Sequence, residues 1–200
     1  MIGRALRHPS FVVGLLITLL VIGTGLLSLF WTPYDPGVMR IMNRLRPPSE
    51  LNWLGTDQFG RDVFSMLMVG ARNALLVGIV AVGIGVTIGV TLGMIAAHGE
   101  GSLLDEAIMR ACDFTFAFPA VLTAILILTF LGPGVVNAII AIGIFNIPVF
   151  ARVARGAALQ VMARDFIRAA RAAGRTGFSI ILRHILPNIA GLIIVQASVQ

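Results

Sequence analysis

The sequence contains no lysine: all 15 basic residues are arginine. A P-loop uses a lysine to reach the β- and γ-phosphates of a nucleotide. These 200 residues therefore hold no P-loop, and any ATP chemistry that serves them is expected on another polypeptide. The single cysteine, Cys112, excludes an internal disulfide and any multi-cysteine metal site. His8, His98 and His184 are scattered, without metal-ligand spacing. No nucleophile–base pair stands out, so no catalytic residue is predicted. Charge is also scarce, at 12% of residues against about a quarter in soluble domains.

What fills the chain instead is apolar. Hydrophobic residues make up 58% and the mean hydropathy is +0.95. Residues 11–34, 73–99 and 114–151 carry no charge at all. A membrane-spanning helix needs about 20 apolar residues, so each stretch qualifies. The third would extend about 57 Å as one helix, and Gly132-Pro133-Gly134 interrupts it. It is predicted to form two spans, roughly 112–131 and 135–153. A further apolar run, 189–200, opens a fifth span and stops part-way, so the native chain is expected to continue through at least one more. The expected fold is all-α, a polytopic helical membrane protein with about five spans in this sequence.

Arg4 and Arg7 precede the first apolar run. That run is longer than a signal-peptide core and no small-x-small cleavage site follows, so a retained span is predicted. Trp31 and Tyr34 stand where interfacial aromatics belong. Residues 32–72 are polar and contain Pro33, Pro36, Pro47 and Pro48. Within them Thr56-Asp57 suits a helix start. Phe59, Val63, Met66, Leu67 and Gly70 then recur at helical spacing, which predicts an amphipathic helix on the membrane surface. The chain is thus divided into residues 1–72 (first span, extracytoplasmic loop, interfacial helix) and a transmembrane domain from 73 to 200.

In the second span Gly85, Gly89 and Gly93 fall four apart, extended by Ala81 and Ala97. Such a stripe lets helix backbones approach closely and predicts a packing face. After it, Glu106, Arg110 and Asp113 have the spacing to pair along one helix face. Pro119 and Pro148 each remove a backbone donor, which a helix bundle tolerates as a kink. Seven arginines against Asp165 alone fill residues 152–183, so the positive-inside rule places that connection in the cytoplasm. Four intervening spans put the N-terminus there too. The outer connection, with Arg40, Arg44, Arg46, Arg61 and Arg72, is an exception to the rule. Topology, rather than nucleic-acid binding, accounts for the pI near 11.4.

The cytoplasmic connection is both hydrophilic and helix-prone. Phe166, Ile167, Ala170 and Ala173 can line one face while Arg168, Arg171 and Arg175 point elsewhere, and Gly174 and Gly177 break the run. A short exposed helix of this kind suits docking into a partner's groove; attachment to anionic lipid through the arginines is the alternative.

Here the sequence resembles the permease subunits of binding-protein-dependent ABC importers. Their cytoplasmic motif reads E-A-A, three residues, G, nine residues, I-x-L-P. Ala169-Ala170, Gly174 and Leu186-Pro187 fall at that spacing, with Arg168 in place of the glutamate and His184 in place of the isoleucine. The variant is similar to the dipeptide/oligopeptide/nickel branch, as is Leu54-Gly55-Thr56-Asp57-Gln58-Phe59-Gly60-Arg61-Asp62-Val63. Met109-Arg110 with Asp113, Phe118-Pro119 and Gly132-Pro133-Gly134 agree.

The resemblance implies the type I ABC importer transmembrane fold, with six spans in the intact subunit. It implies a second homologous permease, two ATPase subunits that bind ATP and Mg, an extracytoplasmic solute-binding protein, and no cofactor on this chain. It also implies an ATPase-coupling loop comprising Asp165, Arg168, Ala169, Ala170, Gly174, Leu186 and Pro187. An ion-coupled secondary transporter is the rival, but the charge-free stretches lack the intramembrane ionisable groups such proteins use. A non-transporting scaffold would leave the loop motif unexplained. No residue is identifiable as a substrate contact.

Overall fold

The computed structural model describes residues 8–200, so Arg4 and Arg7 lie outside the described residues. The chain forms two compact units, divided between Leu76 and Val77. Among the described residues, four helices are long and apolar enough to cross a membrane, or five if one bent pair counts as a span.

The first unit begins with helix α1, Pro9–Leu27. At its end Gly25 packs on the start of α2 (Val63–His98); a Cβ there would lie 2.8 Å from Leu75 Cδ1 and 3.3 Å from the Arg72 nitrogen. Between the two helices the polar segment folds on itself through its own side chains. The Thr56 hydroxyl accepts from Arg46 N at 2.9 Å and donates to the Asn43 carbonyl. Asp57 accepts from Phe59 N, Arg61 N and Arg61 Nε at 2.8–2.9 Å. Asp62 is buried and accepts from Asn52 Nδ2, Ser65 N and Ser65 Oγ at 2.7–2.9 Å. Gly60 has φ +73°, and a Cβ there would collide with the Arg40 carbonyl. The Gly-Thr-Asp and Gly-Arg-Asp sequences are thus the stitching of a compact turn.

A separate surface helix ahead of the second span does not form. Its pattern continues without a break into α2, one helix of 36 residues and about 54 Å. Nothing between Val63 and Asn73 stops a helix, since Arg72 and Asn73 are helix-compatible and no proline intervenes. A π turn at Gly85–Gly89 is the one irregularity. There the Thr87 hydroxyl bonds back to the Gly83 carbonyl at 2.8 Å, a contact that disturbs helical ladders.

The second unit runs from Val77 onward. Helix α3, Leu103–Ala117, starts at Ser102, whose hydroxyl accepts from Asp105 N at 3.3 Å. Helix α4, Ala120–Leu131, follows at an angle of 86°. The segment expected as one kinked span over 112–131 therefore begins earlier, at Leu103, and breaks outright at Phe118-Pro119. A residue before proline is pushed out of the helical region, and Phe118 sits at φ −99°, ψ 132°.

Gly132 turns the chain at φ +87°. Asn137 Nδ2 closes the turn by donating to the carbonyls of Leu131 and Gly132, each at 2.9 Å. Helix α5, Val135–Met162, then runs 28 residues and retains Pro148 within it. The short α6, Asp165–Ala172, follows. Last is α7, Gly177–Val199, of 23 residues with a π turn at Ile181–Ile185. The fifth apolar helix therefore begins twelve residues before the uncharged run at Ile189, because the arginine-bearing segment ahead of it is helical too.

Helix α5 is the hub. Buried Gly85, Gly89 and Gly93 of α2 lie against it: Cβ atoms at the last two would come within 2.8 Å of Phe150 Cβ and 2.9 Å of Ala154 Cβ. Val90, Met94, Phe150, Ala154, Ala158, Ile167, Ile180, Ile185 and Ile189 make one core joining α2, α5, α6 and α7. Two ion pairs tie α3 to α5. Arg155 grips Asp105 with both Nε and Nη2 at 2.7 Å. Arg152 pairs with Asp113 and lies 4.3 Å above the Phe116 ring.

Candidate functional site

The connection between α5 and α7 holds the residues of the expected coupling loop. Arg164, extended at φ −78°, ψ 149°, ends the turn after α5, and Asp165 then places a carboxylate in the first turn of α6, where the helix dipole favours it. Ile167 is fully buried and Ala170 packs beside it on the core, pinning the helix by one side. Asp165, Phe166, Arg168, Ala169, Ala172 and Ala173 are exposed. Arg168 reaches Asp165 at 3.6 Å and donates to the Ala163 carbonyl at 3.3 Å.

The inward face is thus narrower than the pattern of Phe166, Ile167, Ala170 and Ala173 suggests: only Ile167 and Ala170 turn in. The outward face offers small side chains flanked by one aromatic ring and an arginine–aspartate pair. Such a surface admits close approach by a second backbone.

Helix α6 ends in a Schellman motif. Arg175 N donates to Ala170 O at 3.2 Å and Gly174 N to Arg171 O at 2.9 Å. Gly174 holds φ +75° with open space around its Cα, so the backbone angle alone demands glycine. Thr176 then caps α7, accepting from Ser179 N at 3.4 Å. Leu186 packs on the same core as Ala170, while Pro187 is exposed. The π turn places the Leu186 amide on the Ile181 carbonyl, five residues back, just before the proline that has no amide to donate.

Residues 89–200 match the model of one family, the binding-protein-dependent transport system inner membrane component. The chain belongs to that family. Its bundle is accordingly the transmembrane fold of type I ABC importers, and it is a multi-pass membrane protein. A glutathione transport system permease protein, GsiD, from Pectobacterium atrosepticum is 40% identical over 98% of this chain and 65% of its own length. A dipeptide transport system permease protein, DppC, from Alkalihalophilus pseudofirmus is 42% identical over 96% of this chain and 63% of its own. GsiD from Escherichia coli is 41% identical over 94% and 62%. The chain thus spans somewhat under two thirds of the length of these relatives.

In this chain the loop positions sort into three groups. Asp165, Arg168 and Ala169 face outward, Ala170 and Leu186 hold the loop to the bundle, and Gly174 shapes its exit. The spacing of Glu106, Arg110 and Asp113 predicts pairing along α3 itself and gives no sign of the ion pairs of α3 with α5. Arg110 does pair with Glu106, at 2.6 Å, but Asp113 pairs with Arg152. The available signal was the arginine pair at 152 and 155, which continues an apolar helix and therefore calls for acidic partners.

Proposed function

We propose that this chain is the transmembrane permease subunit of an ATP-driven importer, forming half of the pathway for small peptides or a related solute. The peptide class rests on the names of its relatives, glutathione and dipeptide permeases. A second homologous permease completes the pathway, an extracytoplasmic solute-binding protein delivers the solute, and two ABC ATPase subunits hydrolyse ATP. The protein sits in the bacterial cytoplasmic membrane with its N-terminus and α6 in the cytoplasm. Helix α6 is the docking element for one ATPase.

The observation that carries this reading is the two-sided α6: Ile167 anchors it inward, while Ala169 and Ala173 leave its outer face bare beside Arg168 and Asp165. A helix built this way transmits force, because its inner side cannot move without the core moving. Ala169→Asp tests it. The side chain is exposed, so folding and membrane insertion are expected to be normal. A carboxylate buried without a partner in the docked interface costs about 3–5 kcal/mol, or about two to four orders of magnitude in affinity. The expected result is normal membrane protein, loss of co-purifying ATPase and no uptake. Retained association and uptake would refute the docking assignment.

A further inference from the structure

Behind α6, on the side away from its bare face, lies a groove bounded by helix ends. Its walls are His98 at the end of α2, Met162 at the end of α5, Arg171 and Arg175, and Gly177 at the start of α7. Its volume is about 350 Å³, and a second hollow sharing His98, Met162 and Arg171 adjoins it. Gly177 lets the His98 ring lie against the start of α7, since a Cβ there would collide with the imidazole Cε1. Ile180 and Leu159 give the hollows an apolar floor. Neither Arg171 nor Arg175 makes an ion pair or a side-chain hydrogen bond among the described residues. The opposing charge is Glu100, which lines the adjoining hollow.

We propose that this groove binds the phosphate headgroup of an anionic membrane lipid. Three membrane-length helices, α2, α5 and α7, begin or end in its walls, which sets it at the depth where headgroups lie. Two guanidinium groups against the single carboxylate of Glu100, together with an imidazole, would hold a phosphodiester, and the apolar floor would take the first carbons of the chains. Basic residues at a membrane face attract anionic lipid, and here they converge on a cavity of the size that holds small ligands. The site is distinct from the docking face of α6, so the two are separable by mutation.

The test uses the chain purified from its own membranes and returned to bilayer discs of phosphatidylcholine, with or without phosphatidylglycerol. Native mass spectrometry then counts the phosphatidylglycerol retained on the protein. Each arginine is expected to contribute about fivefold in retention, so Arg171→Ala lowers it about fivefold and Arg171→Ala with Arg175→Ala about 25-fold. Gly177→Leu, which fills the groove at constant charge, is expected to expel the lipid as well. Arg183→Ala removes the same charge outside the groove and is expected to leave retention unchanged. Equal loss in Arg183→Ala would show diffuse attraction and overturn the site, as would full retention in the double variant. Release by millimolar inorganic phosphate in intact bilayers would assign the groove to a soluble phosphate instead. Displacement of lipid by co-purifying ATPase would assign it to acidic protein groups.

Discussion

Replacing Gly89 with alanine adds one methyl group where α2 and α5 touch. The new Cβ would lie 2.8 Å from Phe150 Cβ and 3.1 Å from Ala151 N, and would collide with the Ile147 carbonyl. Two of these obstacles are backbone atoms of α5 and cannot rotate away, so the helices must separate. Gly83 is the internal reference: it lies on the same helix, with nothing within 4 Å of an added Cβ. Both substitutions gain the same helix propensity, up to about 1 kcal/mol, and this cancels in the comparison. What remains is overpacking, about 1–3 kcal/mol.

Cys112 reports it. The only thiol is buried in a hollow lined by Leu92 of α2, Ile108 of α3 and Ile147 and Pro148 of α5. A maleimide reaches it only when these helices part, and the labelling rate follows that opening. The Gly89→Ala protein is expected to label about 5- to 150-fold faster than Gly83→Ala, from the same 1–3 kcal/mol. Equal rates would mean that the glycine contact is not what holds α2 to α5.

Gly174→Ala meets open space and strains only the backbone, by about 1–2 kcal/mol. Gly174→Val, β-branched at φ +75°, is expected to unwind the end of α6 further, so trypsin should cut at Arg175 fastest in the valine variant; equal cutting in both would refute the argument. In the turn over residues 54–63, burial raises the Asp57 and Asp62 pKa values, but the hydrogen bonds outweigh it: those from Arg61 and Phe59 on Asp57, and those from Asn52 and Ser65 on Asp62. Both carboxyls are held below the ordinary 3.8. Depressed carboxylates contribute stability above that value and lose it as pH falls through their folded pKa values. Trp53 stacks 5.1 Å from Phe64, so in Trp31→Phe protein its emission should hold at pH 5 and change only below about 3.8; a transition between pH 5 and 7 would contradict this. Finally, cysteines placed at Asn52 and Arg171 in a Cys112→Ala background should react with an impermeant reagent in intact cells at Asn52 only, and the reverse pattern would invert the proposed orientation.

The apolar helices were legible because uncharged length is the signal a bilayer imposes. The Gly132-Pro133-Gly134 turn was legible for an equally local reason: its residue types permit little else. Features that are not local were illegible because the deciding partner is distant in sequence. Asp113 has Arg110 one turn away, yet it pairs with Arg152, 39 residues on, because α5 lies beside it. Pro119 predicts a kink, and the structure shows a break of 86°, since proline removes one bond locally but the surrounding helices set the angle. In α6 the spacing of apolar residues narrowed the choice of face without fixing it. Eight residues make little more than two turns, and it is the core around Ile167 that selects the side.

The break between α3 and α4 also leaves a demand for hydrogen-bond acceptors. Proline at position 119 gives α4 no side-chain cap, and the first intrahelical amide to find a partner is Thr123, which reaches the Pro119 carbonyl at 3.1 Å. The amides of Ala120, Val121 and Leu122 are therefore left without an acceptor in their own helix. In hydrocarbon each would cost several kcal/mol, and irregular backbone persists at membrane depth only where protein or a wet cavity receives it. The outer surface of α4 offers neither, for Val121, Leu122, Ile125 and Leu126 are all exposed and apolar. The bend at Phe118-Pro119 therefore has to be met by water or by a neighbouring protein surface, such as that of the second permease proposed above.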